Sequence, residues 1–188
     1  MPLPDPVSRK PLHTRRIECN GYKRDDGLWD IEARMRDTKD YTFTNKFRGE
    51  MAPGTPIHDM WIRLTVDEKM TVKDIVAVTD GSPFEPCPKI VDNYKAMIGV
   101  KIGLGWRRAI KEKLGGICGC THLTEMLGPM ATVAYQTMMP ELVKRKTEEM
   151  KAAGKKLSRP PGVINSCHAW AADGPVVKEE IPDFYTGE

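Results

Sequence analysis

Between Trp29 and Arg36 the chain alternates without a break: Trp29, Ile31, Ala33 and Met35 are apolar, while Asp30, Glu32, Arg34 and Arg36 are charged. A period of two is the pattern of a strand with one face on a core and the other in water. Asp25-Asp26-Gly27 before it reads as the turn from an earlier strand containing Ile17 and Cys19, so a hairpin opens the fold. A second hairpin is expected after the loop at Pro53 to Pro56. There Ile62, Leu64 and Val66 alternate with Arg63 and Thr65, and Asp67-Glu68-Lys69 turns the chain into Val72 to Val78. If that strand starts early, His58 and Met60 share the covered face with Ile62, and Asp59 and Trp61 point the other way.

Helical signals begin at Cys87-Pro88, where proline suits the first helical position and Cys87 the cap, followed by Ile90, Val91 and Tyr94. A short helix is expected around Trp106 to Lys113, ending at Gly115-Gly116. A longer one starts near Thr121 with Leu123, Met126, Leu127, Met130, Val133, Ala134 and Met138 as its apolar face. Pro129 and Pro140 should kink or divide it. Polar, basic residues run to Arg159, and Asp173-Gly174 between Val163–Trp170 and Val176–Glu180 signals a third hairpin. Residues 1–12, with four prolines, read as an extended arm, and 13–188 as a single α+β domain of antiparallel hairpins covered by helices.

Composition narrows the function classes. A net charge of +3, from 29 basic and 26 acidic residues, is a mixed surface and not the one-signed field of a nucleic-acid binder. Lys144-Arg145-Lys146, with Lys151, Lys155 and Lys156 beyond it, reads as a solvated helix face. No apolar stretch is long enough to span a bilayer, and the proline-rich start lacks a signal peptide's apolar run. These features, with five cysteines, predict a cytoplasmic protein with reduced thiols, and they leave a homodimer open.

Chemistry concentrates in Cys118-Gly119-Cys120-Thr121-His122, and a Cys167-His168 pair follows later. Cys87 and Cys120 fall at helix starts, where the dipole favours a thiolate; as nucleophiles or ligands they compete with a reading as small buried hydrophobes. His58, Cys87, Cys120, His122 and Cys167 are enough donors for zinc, but their spacing is irregular, and no metal or other cofactor is expected. For acid–base work the chain offers His58-Asp59, Asp80, His122, Glu125 and His168, with Tyr94 and Tyr135 as weaker acids. Trp61, Met126 and Trp170 lie beside these groups in sequence, as the walls of a small-molecule pocket would.

The segments His58-Asp59-Met60-Trp61, Ala77-Val78-Thr79-Asp80, Pro83 to Pro88 and Gly119-Cys120-Thr121-His122-Leu123-Thr124-Glu125, with Gly27 to Asp30, Cys167 to Ala169 and Asp173-Gly174, resemble an uncharacterised bacterial family of unknown function marked by G-C-T-H-L-T-E. The resemblance implies a place in the catabolism of aromatic compounds, and extends to phenylcoumaran formaldehyde lyases that act on a lignin-derived dimer. It implies a cofactor-independent lyase in which His58 or His122 is the base, Asp59 an orienting carboxylate, Glu125 a proton donor, and Lys101 or Arg107 a partner for the phenolate. Trp61, Cys87, Trp106, Cys120 and Met126 would contact the aromatic substrate. The middle of the chain is also similar to iron–sulfur cluster scaffolds, where Asp59, Cys87 and Cys120 match cluster-binding positions; Ile57-His58 departs from that pattern, which has a cysteine there. A metal- or cluster-binding protein using His58, Cys87, Cys120 and His122 is therefore the rival reading, and a noncatalytic module for an aromatic ligand the third.

Overall fold

The computed structural model describes residues 3–155 and 160–188. Met1 and Pro2 of the expected arm, and Lys156 and Arg159 of the basic stretch, lie outside the described residues. The fold is α+β, and the chain divides into two compact units, Met1–Leu142 and Val143–Glu188.

In the first unit, four strands, β1 (His13–Lys23), β2 (Trp29–Lys39), β5 (Pro56–Val66) and β6 (Val72–Gly81), form one antiparallel sheet in the order β1-β2-β5-β6. A small hairpin, β3 (Phe43–Asn45) with β4 (Gly49–Met51), is inserted between β2 and β5. The alternation read from sequence sets the faces: Trp29, Ile31, Ala33 and Met35 are buried, as are Met60, Ile62 and Leu64 beside them. On the opposite face the charges pair across strands, Arg63 with Glu32 at 2.7 Å and Arg34 with Asp59 at 2.8 Å.

Helix α1 (Trp106–Leu114) precedes the long α2 (Thr121–Ala152), whose Leu123, Met126, Leu127, Met130, Ala134 and Met138 are buried in the same core as the sheet. Three contacts fix how α2 lies on the first strand. Arg15 meets Glu125, Gly21 faces Thr137, and Lys23 reaches Glu141 at 2.6 Å. From Arg15 to Lys23 a strand climbs about 26 Å, and from Glu125 to Glu141 a helix climbs about 24 Å, so α2 runs alongside β1 in the same direction. The start of the helix is thereby brought to the end of the sheet where β1 begins.

Several expectations are corrected. Of the two outcomes expected at Pro129 and Pro140, a kink or a division, the division does not occur: the helix continues through both. The segment from Cys87 to Met97 is a 3-10 helix whose N-cap is Pro86, with Cys87 already inside. In the second unit no hairpin forms around Asp173-Gly174: Gly174 caps a short helix, α3 (Pro175–Glu180), because Pro175 supplies the fixed φ of a first helical turn, and His168–Trp170 is a single 3-10 turn. No helix among the described residues is long and apolar enough to cross a membrane.

Candidate active site

The core face of the sheet changes character at the end where β1 starts. Asp37 follows Met35 on the covered face of β2, and the register pairs it with Arg15 on β1 and His58 on β5. Its side chain is 1% exposed, so an ionised carboxylate there must be fully partnered. Arg15 supplies a two-pronged grip, Nε and Nη2 each 2.7 Å from one carboxylate oxygen, and also pairs with Glu125 from α2. His58 Nδ1 lies 2.8 Å from Asp37 Oδ2, and His13 Nε2 stands 3.5 Å from Oδ1. Burial alone would push Asp37 up, but the hydrogen bonds from Arg15 and His58 outweigh it and hold the carboxyl at about 2.

An ionised carboxylate only accepts, so His58 Nδ1 must donate and its Nε2 carries the free lone pair. His122, in the first turn of α2, stacks on His58 with ring centres 3.6 Å apart and planes at 29°. Two imidazolium rings would repel at that distance. Burial pushes His58 below the ordinary histidine value, against the pull of Asp37; burial, then the nearby His58 and Arg15, do the same to His122. Both rings are therefore neutral near pH 7, which is the base form.

The position of His122 depends on Tyr94, which is fully buried. The Tyr94 hydroxyl donates to the carbonyl of Cys120 at 2.9 Å, accepts from the Cys120 N–H at 3.1 Å and meets Thr124 Oγ1 at 2.7 Å. These bonds pin the start of α2. Cys120 Sγ lies 3.9 Å from His122 Nδ1, close enough for a weak contact. Tyr94 is thus a positioning residue, with its hydroxyl held neutral by burial.

Of the residues picked from sequence, the structure brings together His58, His122, Glu125 and Cys120. Asp59 and Trp61 project from the opposite face. Asp59 is gripped there by Arg34 at 2.8 Å, and Trp61 lies under the same guanidinium at 4.3 Å and donates to Asp80 at 3.0 Å. A shallow depression of about 200 Å³ on that face is lined by Trp61, Arg34, Glu18, Asn20 and Glu32. Met126 is core, and Trp106 is buried with its indole N–H on the Leu127 carbonyl at 3.0 Å. Lys101 bridges Thr71 at the far end of the sheet, about 26 Å from His58 along β5, and Arg107 is exposed on α1. Cys87 is half-buried; Cys118 and Cys167 are exposed.

Arg15, Asp37 and His13 complete the cluster without belonging to any motif of the sequence. The signal was present for Asp37: it keeps the parity of Met35, and a charge at a core position of a strand calls for a buried partner.

Fold and site together define an α+β protein with a buried carboxylate–imidazole cluster at one end of an antiparallel sheet. The chain belongs to the family described as protein of unknown function DUF2889, which matches residues 13–136 and so contains every residue of this cluster. No curated protein and no solved structure matches the chain.

Proposed function

We propose that the protein is a cofactor-independent acid–base enzyme acting on a small aromatic substrate, with His58 as its general base. The observation that carries this reading is the Asp37–His58 hydrogen bond beneath the stacked His122. A carboxylate that fixes the tautomer leaves Nε2 free to act as a base, and burial keeps it unprotonated at neutral pH. Asp37 takes the orienting role that the sequence suggested for Asp59. Glu125, paired with Arg15, braces the cluster from α2.

The reaction proposed is the carbon–carbon cleavage implied by the family resemblance. His58 Nε2 takes the proton of a primary alcohol; the alcohol oxygen becomes the carbonyl of formaldehyde as the adjacent C–C bond breaks. The released electron pair forms a C=C bond while the aryl ether C–O bond opens, and the phenolate oxygen receives the proton back from the imidazole. No oxidant or reductant is needed. The test is release of formaldehyde from a phenylcoumaran bearing that alcohol. His58→Ala should lower the rate about a hundredfold to ten-thousandfold. Absence of formaldehyde with the wild-type protein overturns the lyase reading.

A second reading rests on the same residues. The ligand atoms of Asp37, His58 and His122 lie within 4.8 Å of one another, a donor set of two imidazoles and a carboxylate that suits a divalent transition metal. In that case Arg15 gives up part of its grip on Asp37. Elemental analysis separates the readings: about one zinc or iron per chain favours the metal.

A further inference from the structure

Thr79 lies on β6, and the register places it directly opposite Met60. Residues paired across an antiparallel ladder share a face, so Thr79 lies on the covered face with Met60 and, one pleat further along, His58. His58 lies two residues from Met60 on β5, just past a bulge at Asp80 where the register shifts between Asp59 and Met60, so the two side chains share one face at the same end of the sheet. The other β6 residues on the covered face, Val72, Ile75 and Ala77, are apolar. Thr79 Oγ1 is buried and, among the described residues, has no hydrogen-bond partner. Valine has nearly the same shape and would fill that space without stranding a polar atom, so packing alone gives no reason for a hydroxyl here.

We infer that Thr79 is a catalytic residue that binds the substrate's alcohol oxygen. The inference rests on the reading of His58 as the base, and it names the chemical group the site takes. A primary alcohol seated between the two residues donates its O–H to His58 Nε2 and accepts the O–H of Thr79. As His58 withdraws the proton, negative charge grows on that oxygen and the Thr79 hydrogen bond strengthens. The hydroxyl the fold does not use is then the donor that stabilises the alkoxide before it collapses to the aldehyde. Polar recognition of the alcohol by a buried donor also excludes aromatic substrates that lack one, because the donor would be left unpaired.

The experiment compares wild type, Thr79→Val and Thr79→Ser. Binding of benzyl alcohol and of toluene is followed through the ring ¹H–¹⁵N signals of His58 and His122, which needs no turnover. Wild type should prefer benzyl alcohol; Thr79→Val should lose about five- to tenfold in affinity for it and none for toluene, and Thr79→Ser should restore the preference. Melting temperature should be unchanged or higher in Thr79→Val. On the phenylcoumaran alcohol, Thr79→Val should lower kcat about a hundred- to a thousandfold. The inference is overturned if wild type shows no preference for benzyl alcohol, if Thr79→Val retains that preference, or if Thr79→Val melts lower because the hydroxyl holds the fold through an ordered water. Failure of the base reading looks different: His58→Ala would keep full turnover while the preference for benzyl alcohol still depended on Thr79.

Discussion

Two aspartates in this sheet are each gripped by an arginine, yet their surroundings assign them different work. Asp37 is 1% exposed and engages Arg15 and His58 together; Asp59, on the wet face, engages Arg34 with Arg36 at 3.6 Å. Removing the charge from a buried network leaves its cation uncompensated, while the Arg34–Asp59 pair, its arginine 36% exposed, is partly screened by water and worth less. Asp37→Asn should therefore cost about 3–5 kcal/mol in urea unfolding, and Asp59→Asn about 1 kcal/mol or less. The rates should separate the two residues further. Asp37→Asn unlocks the His58 tautomer and should depress turnover strongly, whereas Asp59→Asn should leave it near wild type. Equal losses in the two variants would return the orienting role to Asp59. The parity rule that put His58 on the covered face also put Asp59 and Trp61 on the other, so their separation from His58 was legible in the sequence. Arg15 was harder to find, since a strand whose apolar residues are as sparse as Ile17 and Cys19 gives little parity to extend back to position 15.

At the scale of elements, strands were readable wherever one face meets water, because alternation is then enforced by burial. The insertion of β3 and β4 was not, since strands of three residues carry too few positions for a period. The Asp173-Gly174 signal failed for a different reason: Pro175 directly after it fits a helix start better than a ladder, where its missing N–H would break a pairing. What sequence could not supply is the contact that seats α2 on β1. A Cβ at position 21 would stand 1.9 Å from Thr137 Oγ1 and 2.8 Å from its Cβ, so glycine here is the condition for the helix to approach the strand. Gly21→Ala should push α2 away and destabilise by about 1–3 kcal/mol. Adding Thr137→Ala should recover part of the loss in melting temperature. Since α2 carries His122 and Glu125 at its start, Gly21→Ala should also weaken the stack on His58, seen as shifted ring signals for both histidines. A variant with normal stability would show that the helix is not held against the strand at this point.

For the whole molecule, the cluster makes stability a function of pH with a definite sign. Asp37, His58 and His122 each have a lower pKa in the folded protein than the ordinary values of 3.8 for aspartate and 6.5 for histidine. In each case the unfolded chain binds protons more readily, so stability must rise with pH through these windows and fall on acidification. The groups facing the two rings are Arg15 and His13 from β1, Asp37 from β2, Glu125 from α2 and the Cys120 thiol just before that helix. Arg15 stays charged throughout, so a proton added to either ring meets an existing cation as well as the other imidazole. Two stages are expected. Stabilisation from the neutral histidines is complete above about pH 6.5 and erodes as pH falls below it; that from Asp37, on the order of 2 kcal/mol, persists to about pH 4 and is lost as pH falls from there to about 2. Urea midpoints measured from pH 8 to pH 3 should decline in the upper window, and His122→Gln should flatten that limb by removing one of the two titrations. A midpoint that rises between pH 7 and pH 5 would mean that a ring gains its proton more easily in the folded state. Asp37 would then outweigh burial at His58, and the base proposed for this site would be an acid instead.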